Sequence, residues 1–99
     1  MTDLIKNAVE HAKKDEFYEV LELAKKMDPF EYSEFFAIIG NFKENPDYLD
    51  KMGAALNYED MHGFFELGSS KRIARFLMDK AEKEELSDEE MIALRGAVL

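Results

Sequence analysis

Asp28-Pro29-Phe30-Glu31 leaves the chain little choice but to start a helix there. An Asp at the N-cap accepts a hydrogen bond from an otherwise unpaired backbone N–H, and a Glu three residues on reaches back to the N–H of the cap. Pro29 takes the first helical position, where its missing N–H had no partner in any case. Tyr32, Phe35, Phe36, Ile38 and Ile39 follow. Their apolar arc is too wide for one narrow stripe, which predicts a helix central to the core. Gly40 is expected to stop it by taking the left-handed conformation. Asn45-Pro46 then opens a second helix with the same cap-then-proline logic, presenting Tyr48, Leu49 and Met52 inward and weakening at Gly53.

The same punctuation recurs along the chain. Thr2 or Asp3 can cap a first helix with Leu4, Ile5, Ala8, Val9 and Ala12 on one face, and Asp15 a second with Phe17, Val20, Leu21, Ala24 and Met27. Glu10–Lys14 and Glu22–Lys26 are spaced as favourable pairs on those helices. Asn57 can cap a fifth helix carrying Met61, Phe64, Phe65 and Leu67 to a stop at Gly68. Ser69 or Ser70 can cap a sixth, with Ile73, Ala74, Leu77, Met78 and Ala81 inward. Ser87-Asp88-Glu89-Glu90 is a capping box, and Leu86 before it can staple to Met91 in a last helix carrying Ile92, Leu94, Arg95 and Val98. No stretch sustains the alternation of a strand. The reading is an all-α fold of about seven short helices in a single helical domain, residues 1–99.

Shifting the chain by 28 residues superimposes Phe36 on Phe64, Gly40 on Gly68, Tyr48 on Phe76 and Leu49 on Leu77. A further shift puts Ile92 under Phe64 and Gly96 under Gly68. This self-similarity is the mark of stacked helical hairpins with a period near 28 residues and a C-terminal half-unit. Ten-residue helices also produce such coincidences without repetition, so the equivalence of the two glycine stops is the discriminating expectation.

Composition bounds the function. There is no cysteine, so neither a disulfide nor a thiolate metal site can form. The N-terminus lacks the basic cluster and apolar core of a signal peptide, and the longest purely apolar run, Phe35 to Ile39, is far too short to span a membrane. A cytoplasmic location is the expectation. Twenty-two acidic residues against 13 basic ones give a net charge of −9. That balance disfavours direct nucleic acid binding and anionic membrane surfaces, and it favours a basic partner.

Few residues carry the pattern of chemistry. Glu59 and His62 have the Glu-x-x-His spacing of di-iron helical bundles, and His62 and Glu66 lie four apart. A second such motif is missing, since the residue three before His11 is Ala8. No phosphate-binding glycine loop, nucleophile motif or calcium loop is present, so an enzyme is not expected, nor a cofactor. The remaining signals are charge and exposed aromatics. Glu82, Glu84, Glu85, Asp88, Glu89 and Glu90 are answered locally only by Lys83. Lys71, Arg72 and Arg75 crowd the start of the sixth helix, against the usual dipole preference. The functional expectation is a small acidic, non-enzymatic protein-binding module, a regulator or inhibitor of a protein with a basic surface. A narrower form is an acidic decoy against a nucleic-acid-binding protein. The docking residues would be Glu82, Glu84, Glu85, Asp88 and Glu89, with Tyr18, Phe42 and Tyr58 as exposed aromatics. The alternative is a metal- or small-ligand-dependent helical domain centred on Glu59, His62 and Glu66.

Overall fold

The computed structural model describes residues 1–98. Seven helices follow one another: α1 (Asp3–Lys13), α2 (Phe17–Lys25), α3 (Pro29–Gly40), α4 (Tyr48–Ala55), α5 (Tyr58–Glu66), α6 (Ser70–Lys83) and α7 (Asp88–Val98). No strand occurs among the described residues. Most helix starts obey the sequence punctuation. Thr2, Asp28, Asn57 and Ser69 each accept a backbone N–H at an N-cap, and Asp28 and Glu31 form the complete capping box. Ser87 and Glu90 form the second box, with Glu90 N–H to Ser87 Oγ at 3.2 Å and Ser87 N–H to Glu90 Oε1 at 2.9 Å.

Two starts differ, for one shared reason. Asp15 does not cap α2. That N-cap is Glu16, which makes no side-chain cap bond. Asp15 sits in the α1–α2 turn with φ 55°, a left-handed conformation that Asp tolerates better than most residues. Its carboxylate accepts Asn45 Nδ2–H at 2.7 Å, while Lys51 Nζ donates to Asn45 Oδ1 at 2.8 Å. Asn45 is thereby buried in a polar clip between two connections instead of opening α4, which starts at Tyr48. Asp15 and Asn45 are aimed at each other, so the N-cap positions fall to Glu16 and Asp47, neither of which makes a side-chain cap bond.

The core is built from α1 to α5. Ala8, Ala12 and Ala24 are fully buried, and their small side chains let α1 pack closely on α2 and α3. Phe35, Ile39, Tyr48, Met52 and Phe64 fill the space between, each burial contributing roughly 1.5–3 kcal/mol of transfer free energy. Tyr32 joins them, ring against ring with Phe64 at 5.4 Å. Its hydroxyl donates to the Phe64 carbonyl at 2.7 Å, and burial pushes the phenol well above its usual pKa. Burial likewise raises the Tyr48 phenol, whose hydroxyl has no hydrogen-bond partner among the described residues.

The C-terminal hairpin is different. α7 rests chiefly on α6, and none of its described residues is fully buried. Leu77 is wholly buried but lies outside the main core cluster, so α6 and α7 share a small interior of their own. The hairpin is held to the body by the Phe30–Phe76 edge contact and by Arg72. Arg72 Nη1 donates to the Leu67 carbonyl at 2.8 Å, and Nη2 donates to the Met27 carbonyl. These carbonyls lie at the C-terminal ends of α5 and α2, where a cation meets the negative end of each helix dipole. The basic start of α6 is thus partly a cap for two other helices.

The expected 28-residue repeat is not confirmed. Helices α1 and α2 pair as predicted and so do α3 and α4, but α6 pairs with α7 where the repeat would join it to α5. The two glycine stops are not equivalent either. No glycine among the described residues has positive φ, so neither Gly40 nor Gly68 supplies a left-handed stop. Gly40 is simply the last residue of α3, and Gly53 lies within α4. The surface pairs also shift by one residue: Lys13 meets Glu10 at 3.4 Å and Lys25 meets Glu22 at 3.2 Å.

Candidate functional site

The acidic run forms the tip of the α6–α7 hairpin. Helix α6 ends at Lys83 because Glu84 turns to an extended conformation, and α7 starts again at the Ser87 box. The short connection forces Glu82, Glu84, Glu85, Asp88 and Glu89 into one region, and all five are exposed. Lys80 gathers the acids on the inner side. Its ammonium pairs with Glu84 at 3.5 Å and more closely with Glu90. The Lys80 hydrogen bond holds the Glu90 carboxyl at about 2, helped by the Ser87 backbone N–H, and Glu90 in turn raises Lys80 above its usual value. Glu90 is therefore a structural pin of the hairpin. Glu82, Glu85, Asp88 and Glu89 make no ion pair within 4.0 Å among the described residues. They carry the free charge of the tip.

The three aromatic candidates divide. Tyr18 on α2 is 56% exposed and Tyr58 at the start of α5 is 85% exposed, as a docking role requires. Phe42 is only 6% exposed and must be removed from the set. The connection after α3 folds back, so the Phe42 ring packs 6.2 Å from the buried Tyr48 ring. In the polar sequence Asn41-Phe42-Lys43-Glu44 it reads as a loop residue, because the closing contact is made by a different helix. Conversely, Met78, whose spacing predicts an inward position, is 55% exposed, and Phe65, Met91, Ile92 and Val98 are likewise 44–68% exposed. Phe65 is covered only in part, edge-on to Phe36 of α3, while α6 and α7 pack chiefly on each other and leave Met78, Met91, Ile92 and Val98 without a covering helix among the described residues.

His62 Nε2 lies 3.7 Å from Glu66 Oε1, on one helix face as the four-residue spacing requires. Glu59 does not complete a set with them. Among the described residues no three His, Asp or Glu side chains are grouped so as to hold a metal ion. Two ligands fall short of the three or four protein ligands of an ordinary zinc centre. His62 instead stands edge-on to the Tyr58 ring at 5.9 Å. The other histidine, His11, engages Glu16 through Nδ1 at 2.9 Å across the α1–α2 turn.

A shallow apolar groove of about 400 Å³ runs between α3, the end of α5 and the start of α6. Pro29, Tyr32, Ser33, Phe36, Ala37, Phe65, Gly68 and Ile73 line it, without a charged side chain. Its chief polar group, the Tyr32 hydroxyl, is already committed to the Phe64 carbonyl. No convergent polar constellation of the kind that orients a substrate is present there. No helix among the described residues is long and apolar enough to cross a membrane. Comparison of the chain with protein-family models, with curated proteins and with solved structures finds no match in any of the three.

Proposed function

We propose that this chain is a small acidic, non-enzymatic protein-binding module that presents the tip of its α6–α7 hairpin to a basic protein surface and so regulates or inhibits that protein. The observation that supports this reading best is the set of free carboxylates at the tip. Glu82, Glu85, Asp88 and Glu89 are exposed and have no internal cation, on a chain whose net charge is −9. Carboxylates fixed at a helix end and a helix start are held closer together than in a disordered acidic tail, so their combined field acts on one site of a partner. An acidic decoy for a nucleic-acid-binding protein is the narrower form of the same idea.

The test uses a basic partner recovered from lysate of the source cells. Association and dissociation rates would be measured at two salt concentrations for the wild type and for Asp88→Asn/Glu89→Gln. Loss of steering charge should slow association, and added salt should slow it further, because the Debye length is about 8 Å at physiological ionic strength. Dissociation, held by apolar contact, should change less. Association indifferent to both salt and charge removal would reduce the acidic tip to a solubilising surface.

A further inference from the structure

The exposed side of α6 carries a second, quite different pattern. Lys71, Arg75, Met78 and Glu82 follow at intervals of four, three and four residues, the spacing of one stripe along a helix, and Glu85 follows just beyond the helix end. All five are exposed, Met78 by 55%. The stripe points away from the buried Leu77 side. It is also antisymmetric in charge about its centre: two cations lie before Met78 and two carboxylates after it. At 1.5 Å per residue, Arg75 and Glu82 stand about 5 and 6 Å from Met78 along the axis and Lys71 about 10 Å, while Glu85 lies past the helix end. Arg72, the other cation of this helical turn, points elsewhere, bonded to the Met27 and Leu67 carbonyls.

A stripe that is positive at one end, apolar in the middle and negative at the other is complementary to itself when reversed. We infer that the partner of this face is a second copy of the chain, with the two α6 helices antiparallel and a two-fold axis passing near Met78. In that arrangement Met78 meets Met78, Arg75 of each copy faces Glu82 of the other, and Lys71 lies toward the hairpin tip that carries Glu85. This is an isologous interface, in which each contact occurs twice and the assembly closes at two copies. Helix axes 8–10 Å apart leave Arg and Glu long enough to bridge and Met soft enough to fill the centre. Repulsion between two acidic chains opposes the pairing, so the dimer is weak and depends on these local pairs. The inference does not rest on the basic-partner reading. Both surfaces use Glu82 and Glu85, so a second copy and a basic partner would compete.

Sedimentation equilibrium of the purified 99-residue chain, up to millimolar concentration, tests it without any other protein. The wild type should show a reversible monomer–dimer equilibrium. Lys71→Glu/Arg75→Glu makes the stripe acidic throughout, and Glu82→Lys/Glu85→Lys makes it basic throughout. Each variant alone should dimerise about tenfold or more weakly than the wild type, since several exposed pairs change from attractive to repulsive. An equimolar mixture of the two should recover dimer. The second variant is the sharper probe, because it lowers the net negative charge and would associate better if only overall repulsion mattered. A far-ultraviolet circular dichroism spectrum matching the wild type confirms that each variant is folded. A wild type that stays monomeric over the whole range overturns the inference. So does a dimer that neither reversal weakens, or variants that mixing fails to rescue.

Discussion

Gly40 is the last residue of α3 and Gly68 lies two residues past the end of α5, and their surroundings assign them opposite roles. A Cβ on Gly40 would meet nothing within 4 Å, and the residue is helical. Replacing it with Ala removes backbone freedom from the unfolded chain and should stabilise the protein by about 0.5–1 kcal/mol. A Cβ on Gly68 would stand 3.0 Å from Cε1 and 3.5 Å from Cδ1 of Tyr32. That ring cannot retreat easily, because it is buried against Phe64 and its hydroxyl is tied to the Phe64 carbonyl. Gly68→Ala should therefore destabilise, by about 1–3 kcal/mol as overpacking usually does. Urea denaturation of the two variants measures both, and equal effects of the same sign would contradict this account.

At the scale of the element, the α6–α7 hairpin is the least anchored part of the body. α7 has no fully buried residue among those described, and its attachment to α6 leans on the Lys80–Glu90 pair. Glu90 is held at about 2, below its ordinary value of 4.5, so the pair is fully formed above that ordinary value and is lost as the pH falls toward 2. Lys80 is raised, so its contribution is complete below the ordinary lysine value and fails only as pH rises beyond it. Native-state hydrogen exchange should place α7 amides among the least protected helical amides at neutral pH. Thermal stability measured across pH 4.5 to 2 should fall more steeply for the wild type than for Glu90→Gln. Gln keeps the capping-box hydrogen bond and removes only the charge pair. Parallel curves would mean that Glu90 serves the cap alone.

For the whole molecule, Arg72 is the residue that binds the parts together. One guanidinium joins the C-terminal ends of α2 and α5 to the first turn of α6, across 45 residues of sequence in the case of Met27. Removing it leaves two carbonyls at helix ends without their cation. Hydrogen bonds from charged groups contribute about 1.5–3 kcal/mol, which sets the expected cost of Arg72→Ala. Arg72→Lys should recover only part of that, since an ammonium lacks the planar fork that reaches two separate acceptors. Chemical denaturation with all three proteins decides it, and an Ala variant as stable as the wild type would show Arg72 to be ordinary surface. The extents of 40 × 27 × 20 Å and a radius of gyration of 14.5 Å, against roughly 13 Å for a compact chain of this length, fit a body extended by its hairpin.

Local physics made the helices legible. Asp28, Asn57, Ser69 and Ser87 reveal their caps in sequence because the donor and acceptor lie within three residues of each other. Apolar spacing likewise exposed the inner faces of α1 and α2, and composition alone sets the net charge of −9. What tertiary structure alone decided was which apolar faces receive a cover and which polar residues are drawn inward. Phe42 is buried and Ile92 exposed although both are large and apolar. The first meets Tyr48 through a connection that folds back, while the second lies on a helix supported from one side only. Asp15 and Asn45 abandon their expected caps for each other, 30 residues apart. Periodicity specifies the direction a side chain takes from its own helix, but burial depends on what the rest of the chain places opposite it.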